Sequence, residues 1–272
     1  MKVFLNGRTV EEKSVEDLLE PGFLFGWGVF ETLRVYNAKI SFLSEHLKRL
    51  RQGIDFFELM PPDIDYTKCI NNLLSENKLI NAYVRIAVFK KRKSTGIIIY
   101  ASEFNYYNDE SYKKGFKAIF APFVRYSKDP FNFVKSISYA RNRHAWFLAQ
   151  KEKKDETIYL NERNHIQEGS RSNIFFIKDG AIFTPSSDCG ILGGVTKAKV
   201  IDNCRNLGFN VSEGEFIKED LLSSDEAFLT SSLMEVMPLV ECDNKKIGAG
   251  SPGQLTVNIL NEYRNKISTQ NF

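Results

Sequence analysis

The chain has 272 residues, of which 43% are hydrophobic and 13% aromatic, so it can bury a core for one large or two medium domains. Its 37 basic and 34 acidic residues give a net charge of +3, which is too balanced for a protein whose main partner is nucleic acid. Four widely spaced cysteines without nearby histidines indicate neither a metal site nor a disulfide framework. No apolar run approaches the roughly 18 residues that span a bilayer, so we expect a cytoplasmic protein without a membrane partner.

The first hundred residues predict an α+β organisation. Asn6-Gly7 after an apolar triplet indicates a β-hairpin. The run from Phe23 to Val35 is interrupted by Gly26 and Gly28, which predicts two strands separated by a close backbone approach. The remaining patterns predict a helix with Ser44 as its N-cap, a helix over 66–79, and strands at 82–88, 97–101 and 118–122.

The chain is predicted to divide into two domains. Residues 122–134 form the expected linker, because the stretch from Arg125 to Pro130 is polar and ends in proline. The linker separates an N-terminal α/β domain, residues 1–121, from a C-terminal domain, residues 135–272. The C-terminal domain is predicted to contain helices over 135–153 and 196–207, the second closed by Gly208, and strands at 157–161, 174–178, 181–184, 228–230 and 237–241. Asp179-Gly180 predicts a hairpin turn between the strands at 174–178 and 181–184.

Lys135 is the candidate nucleophile. Its sequence neighbours are apolar, and such a setting lowers the pKa of an ammonium group and favours the neutral amine. These neighbours are Phe131, Phe133, Val134 and Ile137. Most lysines are solvated, so the spacing alone also fits a surface residue.

Glu168 is the candidate acid. It precedes a turn of small residues and an apolar strand, which suits a carboxylate that binds a protonated ring nitrogen. The same pattern also fits an ordinary turn carboxylate.

Three segments are candidates for binding a phosphate group. Gly193 to Thr196 precede a predicted helix, whose N-terminus offers backbone donors to an anion. Ser232 ends a run of three hydroxyl residues, and Arg49 can form paired hydrogen bonds. Each segment has a structural alternative, namely a loop, a helix cap and a surface arginine.

Six ordered motifs together resemble the fold-type IV family of pyridoxal 5′-phosphate (PLP) enzymes, which includes branched-chain aminotransferases, D-amino acid aminotransferases and 4-amino-4-deoxychorismate lyases. The motifs begin at Gly28, His46, Lys135, Glu168, Gly190 and Ser232 and extend over nearly the whole chain.

The resemblance implies a two-domain α/β fold with PLP in the cleft between the domains, and a homodimer. It implies that Lys135 bonds to the cofactor and moves a proton, and that Glu168 holds the ring nitrogen. Tyr139 would contact the ring hydroxyl. The implied phosphate-binding residues are Arg49, Val195, Thr196 and Ser232.

Two reactions and one non-enzymatic function stay open. Tyr139 matches the branched-chain enzymes, so we expect a class IV aminotransferase that acts on an L-amino acid and a 2-oxo acid. The alternative is an aminodeoxychorismate lyase, which the segment from Leu233 to Pro238 resembles; the sequence after Arg85 lacks the glycine-rich arginine motif of many lyases. A non-catalytic binding module is the remote alternative.

Overall fold

The structure is a computed structural model and describes residues 1–269. Its α-helices are α1 (Pro21–Leu24), α2 (Leu43–Phe56), α3 (Tyr66–Glu76), α4 (Asp109–Lys114), α5 (Ala140–Lys151), α6 (Val195–Asn206), α7 (Lys218–Leu222) and α8 (Gln254–Thr269). Its strands are β1 (Lys2–Leu5), β2 (Arg8–Glu11), β3 (Gly28–Tyr36), β4 (Lys39–Ile40), β5 (Ala82–Lys90), β6 (Thr95–Glu103), β7 (Phe116–Phe120), β8 (Glu156–Leu160), β9 (Ile166–Gly169), β10 (Asn173–Lys178), β11 (Ala181–Pro185), β12 (Val211–Gly214), β13 (Glu226–Ser231), β14 (Glu235–Cys242) and β15 (Lys245–Lys246).

The strands form a hairpin and two larger sheets, which makes this a mixed α/β fold. Strands β1 and β2 form the hairpin. The small sheet has the order β4-β3-β5-β6 and is antiparallel. The large sheet has the order β12-β11-β10-β13-β14-β7-β8-β9, with β15 paired to β14.

A separate hydrophobic core packs against the small sheet. Leu33, Val84 and Ile86 are fully buried on β3 and β5. Leu50 of α2 and Ile70 of α3 cover them, as expected for the apolar faces of amphipathic helices. These contacts fix α2 against the start of the sheet.

The large sheet contains two parallel β-α-β units, which the sequence analysis did not predict. Helix α5 connects the parallel strands β7 and β8, and α6 connects the parallel strands β11 and β12. Strand β7 lies before the predicted linker and pairs with β14 and β8 of the large sheet. The division of the chain at residues 121 and 122 stays a prediction.

Most of the predicted elements are confirmed, with bounds shifted by a few residues. The hairpin turns at Asn6-Gly7 and Asp179-Gly180 have positive φ angles, which is the reason why these residue pairs occur there. Helix α6 is followed by Gly208 at φ 83°, as the C-terminal glycine pattern indicates. The elements that the sequence analysis missed are the short strands β4, β9, β12 and β15 and the helices α4, α7 and α8.

The predicted helix over 135–153 is wrong in its first turn, since α5 begins at Ala140. The preceding residues are not helical, because their backbone pairs with the start of β3. Phe30 N donates to Lys135 O at 2.9 Å, and Ile137 N donates to Gly28 O at 3.0 Å. Helical periodicity carries no information about a partner that lies a hundred residues earlier.

Two further local predictions are wrong. Phe23 lies in the helical turn α1 instead of a strand, because Pro21 occupies the first helical position and Leu24 N donates to Glu20 O. Ser44 is not the N-cap of α2. The helix begins at Leu43, and its N-cap is Phe42, two residues before Ser44. Phe42 is buried and has a left-handed backbone at φ 52°.

No helix within residues 1–269 is long and apolar enough to cross a membrane. The same residues contain no group of three or more His, Cys, Asp or Glu side chains that could hold a metal ion.

The close packing at Gly28 gives a test of the fold. Gly28→Ala is expected to lower the free energy of unfolding by about 1–3 kcal/mol, measured by urea denaturation. The added Cβ would lie 2.5 Å from Val88 O and 2.9 Å from Phe89 Cα, so the backbone has to move.

Gly193→Ala is the matched control. Its Cβ would have no atom within 4 Å, and we expect unchanged stability or a gain of about 0.4–1 kcal/mol. Equal unfolding free energies for Gly28→Ala and the unmodified protein would contradict the close approach of β3 to β5.

Candidate active site

All seven residues that the sequence analysis singled out line one cavity. The cavity lies where α2, the segment before α5, the turn from β9 to β10 and the first turn of α6 meet. The seven residues are Arg49, Lys135, Tyr139, Glu168, Val195, Thr196 and Ser232. The structure therefore brings the predicted nucleophile, acid and anion-binding groups together.

Lys135 lies against an aromatic ring that the sequence analysis did not identify. Its Nζ is 4.8 Å from the ring centre of Phe30, whose own side chain is buried. The sequence neighbours Phe131 and Phe133 are instead 46% and 47% exposed. Burial, together with the positive charge of Arg49, lowers the pKa of Lys135 to about 8. A larger share of the amine is therefore neutral near neutral pH than in a solvated lysine.

Glu168 lies in β9 and is held by three donors. Its Oε1 accepts from Arg125 Nη2 at 2.7 Å, and its Oε2 accepts from Leu192 N at 3.0 Å and from Asn173 Nδ2 at 3.1 Å. Burial raises the pKa of Glu168 and outweighs the opposite effect of Arg125. The carboxyl group is thus oriented into the cavity by fixed neighbours.

Arg125 is a site residue that the sequence analysis missed, since it lies in the predicted linker. Its side chain is 3% exposed and also donates to Gln167 Oε1 at 3.0 Å and to Gly190 O at 2.9 Å. A side chain at Gly190, where φ is 80°, would lie 2.3 Å from Ser127 O. No local pattern signals this arginine, because its partners are more than forty residues away along the chain.

The first turn of α6 provides backbone donors at one end of the cavity. Gly194 is the N-cap and makes no side-chain cap hydrogen bond, so the N–H groups of Val195 and Thr196 have no partner within the helix. A Cβ on Gly194 would lie 1.9 Å from Asn173 Oδ1, which explains the glycine. The buried Thr230 Oγ1 also lines this end and has no hydrogen-bond partner among the described residues. These groups fit the phosphate of PLP.

Arg49 is already engaged by the protein. Its Nε and Nη2 donate to the two carboxylate oxygens of Glu31 at 2.6 and 2.7 Å, and its Nη1 donates to Gly193 O at 2.9 Å. Glu31 is fully buried. Burial alone would raise its pKa, but Arg49 and His46 lower the pKa of Glu31 to about 2. Arg49 thus lies in the cavity wall with its charge partly neutralised.

Tyr139 is oriented by the turn that follows β9. Its hydroxyl donates to Ser170 O at 2.9 Å, and Asn142 Nδ2 donates to the same oxygen at 2.8 Å. Burial, followed by the charges of Glu156 and Glu168, raises the pKa of Tyr139 to about 12. The phenol therefore stays protonated at neutral pH.

The turn itself is fixed by the buried carboxylate of Glu156. Ser170 N donates to Glu156 Oε1 at 3.1 Å, the Ser170 hydroxyl donates to the same oxygen, and Ser172 Oγ donates to Oε2 at 3.0 Å. Gly169 has no room for a side chain, since a Cβ would lie 2.2 Å from Ser172 Oγ. Glu156 is thus a second site residue that the sequence analysis missed.

Ser232, which follows β13, contacts a histidine from α2. Its Oγ is 3.3 Å from His46 Nε2, and His46 Nδ1 is 2.7 Å from Glu31 Oε2. The His46 motif appeared in the resemblance, but no role was predicted for its histidine.

Known proteins are similar to this sequence over almost its full length. The D-alanine aminotransferase of Bacillus licheniformis is 29% identical, over 99% of this chain and 98% of that protein. The aminodeoxychorismate lyase of Bacillus subtilis is also 29% identical, over 97% and 94%. A putative branched-chain-amino-acid aminotransferase of Methanocaldococcus jannaschii is 30% identical, over 97% and 96%.

The fold is also that of solved structures. The branched-chain aminotransferase of Thermoproteus uzoniensis, crystallised with norvaline, has a TM-score of 0.85 and 28% identity, and the match covers 98% of this chain and 94% of that one. A branched-chain amino acid aminotransferase crystallised with pyridoxamine 5′-phosphate has a TM-score of 0.86 and 24% identity, over 98% and 93%. Residues 28–242 match the family described as amino-transferase class IV, and this range includes every site residue named above. The chain therefore belongs to the class IV aminotransferases, a family of PLP-dependent enzymes of fold type IV.

Proposed function

We propose that the protein is a PLP-dependent aminotransferase that moves an amino group between a branched-chain-like L-amino acid and a 2-oxo acid. The observation that carries this proposal is the position of the Lys135 amine in one cavity with the carboxyl group of Glu168 and the first turn of α6. An amine, an acid and an anion-binding helix end are the three groups that PLP requires.

Each group has a separate task in this proposal. Val195 and Thr196 bind the phosphate through their backbone N–H groups, and Ser232 and Thr230 supply hydroxyls. Glu168 keeps the ring nitrogen protonated. When bound, the cofactor ring withdraws electrons from the substrate Cα. Lys135 would hold the cofactor aldehyde through its amine, and the freed amine would take a proton from the substrate Cα and return it one atom away.

The preference for an apolar substrate rests on the cavity wall. Phe131 and Val134 line the cavity next to Tyr139, so an aliphatic side chain finds apolar surface there. The guanidinium of Arg85 lies over the ring of Phe30, with its Cζ 3.8 Å from the ring centre, and its charge is among those that lower the pKa of Lys135. Arg85 forms no ion pair within residues 1–269. We propose that this cation binds a substrate carboxylate.

The second candidate function is that of an aminodeoxychorismate lyase. Arg171 lines the same cavity, and its guanidinium pairs with the buried carboxylate of Glu156, with Nε 3.9 Å from Oε2. A substrate with two carboxylates would suit such a second cation. A non-catalytic module is disfavoured, because Lys135 and Glu168 are both retained in one cavity. The homodimer and the cytoplasmic location stay predictions.

The role of Lys135 can be tested by covalent capture. Protein loaded with PLP is expected to absorb visible light, and borohydride reduction followed by peptide mapping should place the cofactor on Lys135. The rate of capture should rise with pH through about 8, because the neutral amine is the nucleophile. Lys135→Ala should lose the covalent adduct, whereas Lys93→Ala, which alters an exposed lysine, should keep it. An adduct on another lysine would overturn the assignment.

Glu168→Gln tests the ring-nitrogen partner. The variant should bind PLP but turn over substrate at least about a hundredfold more slowly, because the neutral amide stabilises a protonated ring poorly. Single-turnover rates and the visible spectrum are the measurements. Glu215→Gln, a change at a partly exposed glutamate paired with Arg163, is the control and should keep full activity. Unchanged turnover in Glu168→Gln contradicts the role.

A panel of amino donors tests the reaction itself. With L-leucine and 2-oxoglutarate we expect equal amounts of 4-methyl-2-oxopentanoate and L-glutamate, and with D-alanine little keto acid. We expect this preference because Phe131 and Val134 offer apolar surface to the side chain of leucine and Arg85 is proposed to bind its carboxylate. Products are measured by chromatography after a fixed time. Release of pyruvate and p-aminobenzoate from aminodeoxychorismate at a higher kcat/KM than leucine transamination would replace this proposal with the lyase.

A further inference from the structure

Three side chains form a buried hydrogen-bonded chain behind the anion-binding end of the cavity. The Ser232 hydroxyl contacts His46 Nε2 at 3.3 Å, and His46 Nδ1 contacts Glu31 Oε2 at 2.7 Å. His46 is 1% exposed and Glu31 is fully buried. The chain starts at a cavity-lining hydroxyl and ends at a carboxylate that Arg49 also binds.

The protonation of this chain follows from its charges. Glu31 has a pKa of about 2 and is ionised, so it accepts a hydrogen bond and His46 Nδ1 carries the proton. Burial is the main cause that lowers the pKa of His46 below its usual value, and the positive charges of Arg49 and Lys135 lower it further. The negative charge of Glu31 acts in the opposite direction but does not outweigh them. At neutral pH the imidazole is therefore neutral, and its Nε2 can only accept a hydrogen bond.

This state directs the Ser232 hydroxyl away from the cavity. The hydroxyl hydrogen is donated to His46 Nε2, so the serine oxygen presents only lone pairs to an incoming anion. If His46 gains a second proton, Nε2–H becomes the donor to Ser232 Oγ. The serine hydrogen is then released and can be donated into the cavity.

We propose that His46 is a positioning residue that sets the donor direction of Ser232, and that a dianion bound at this end of the cavity is accompanied by uptake of one proton at His46 Nε2. The inference rests on the proposed function, in which that anion is the cofactor phosphate. It adds a second requirement, since the site becomes fully complementary to a dianion only after the buried imidazole is charged.

The surrounding charges favour this proton uptake. His46 faces Glu31 from β3, Arg49 from its own helix and Lys135 from the segment before α5, and the Glu45–Lys199 ion pair lies beside it. A dianion near Arg49 and Lys135 offsets the two cations that disfavour the imidazolium. The pKa of His46 is then higher in the anion complex than in the free protein. By linkage, the affinity for the anion is constant at pH values below the pKa of His46 in the free protein, and it falls as the pH rises above that pKa.

Sulfate is the probe, because it stays a dianion throughout the neutral range and carries no aldehyde. The full-length protein freed of PLP is titrated with sulfate by calorimetry in two buffers of different ionisation enthalpy, at about pH 7, where the Lys135 amine remains mostly charged. We expect uptake of close to one proton, and a Kd that rises up to about tenfold per pH unit above neutrality. Competition with PLP identifies the site.

His46→Gln is the decisive variant, because an amide can still donate to Glu31 but cannot gain a proton. We expect sulfate binding without proton uptake and a Kd that is independent of pH near neutrality. His144→Gln, at an exposed histidine, is the matched control and should behave like the unmodified protein. Ser232→Ala is a second variant that leaves Glu31 and His46 in place, and it should lose most of the proton uptake.

A spectroscopic readout separates proton transfer from a merely structural role. The chain has three histidines, so ¹⁵N-histidine labelling gives few signals, and His46 is assigned from its loss in His46→Gln. Its ring should change from the neutral Nδ1–H form to the imidazolium when sulfate is added. Sulfate binding without proton uptake, uptake that survives in His46→Gln, or sulfate that does not compete with PLP overturns the inference. The visible spectrum of the PLP-loaded protein tests the proposed function separately.

Discussion

The arrangement of the site depends on the backbone pairing of the Lys135 segment with the first residues of β3. Two hydrogen bonds and the bridge between Val29 and Ser136 attach this segment to the small sheet, although the segment leads directly into α5 beside the large sheet. The same strand supplies Phe30 to the lysine and Glu31 to the anion-binding end. The lysine is thus held between elements of both sheets, and the cavity exists only where they meet.

Two buried carboxyl groups, Glu31 behind the cavity wall and Glu168 in its lining, have opposite pKa shifts. Glu31 accepts two hydrogen bonds from Arg49 and one from His46. These partners lower its pKa more than burial raises it, so Glu31 is ionised at neutral pH. Glu168 has Arg125 as its one ion-pair partner in the described residues, and burial raises its pKa. The first group keeps the guanidinium of Arg49 in place beside the helix end. The second is held by three donors and lines the cavity, which suits a carboxyl group that pairs with a ring nitrogen.

The sequence was sufficient for those features whose signals are local. The hairpin at Asp179-Gly180 and the end of α6 at Gly208 depend on backbone conformations that glycine adopts easily, and both were predicted correctly. The seven site residues belong to contiguous motifs and were found together in one cavity. Arg125 and the non-helical backbone at Lys135 depend on partners far away in the chain, and no periodicity encodes such partners. For the same reason the order of strands in the large sheet was not predictable.

In the proposed function, the groups that hold the cofactor and the groups that select the substrate occupy different parts of this cavity. Arg49, Glu168 and Thr196 lie on or beside regular elements whose positions are set by buried contacts. Phe131 lies instead on the short connecting segment before Lys135 and also lines the cavity. A substitution there changes the substrate that fits without disturbing the buried ion pairs. Relatives at 28–30% identity carry the names of three different enzymes, which is the outcome expected when substrate selection depends on such segments.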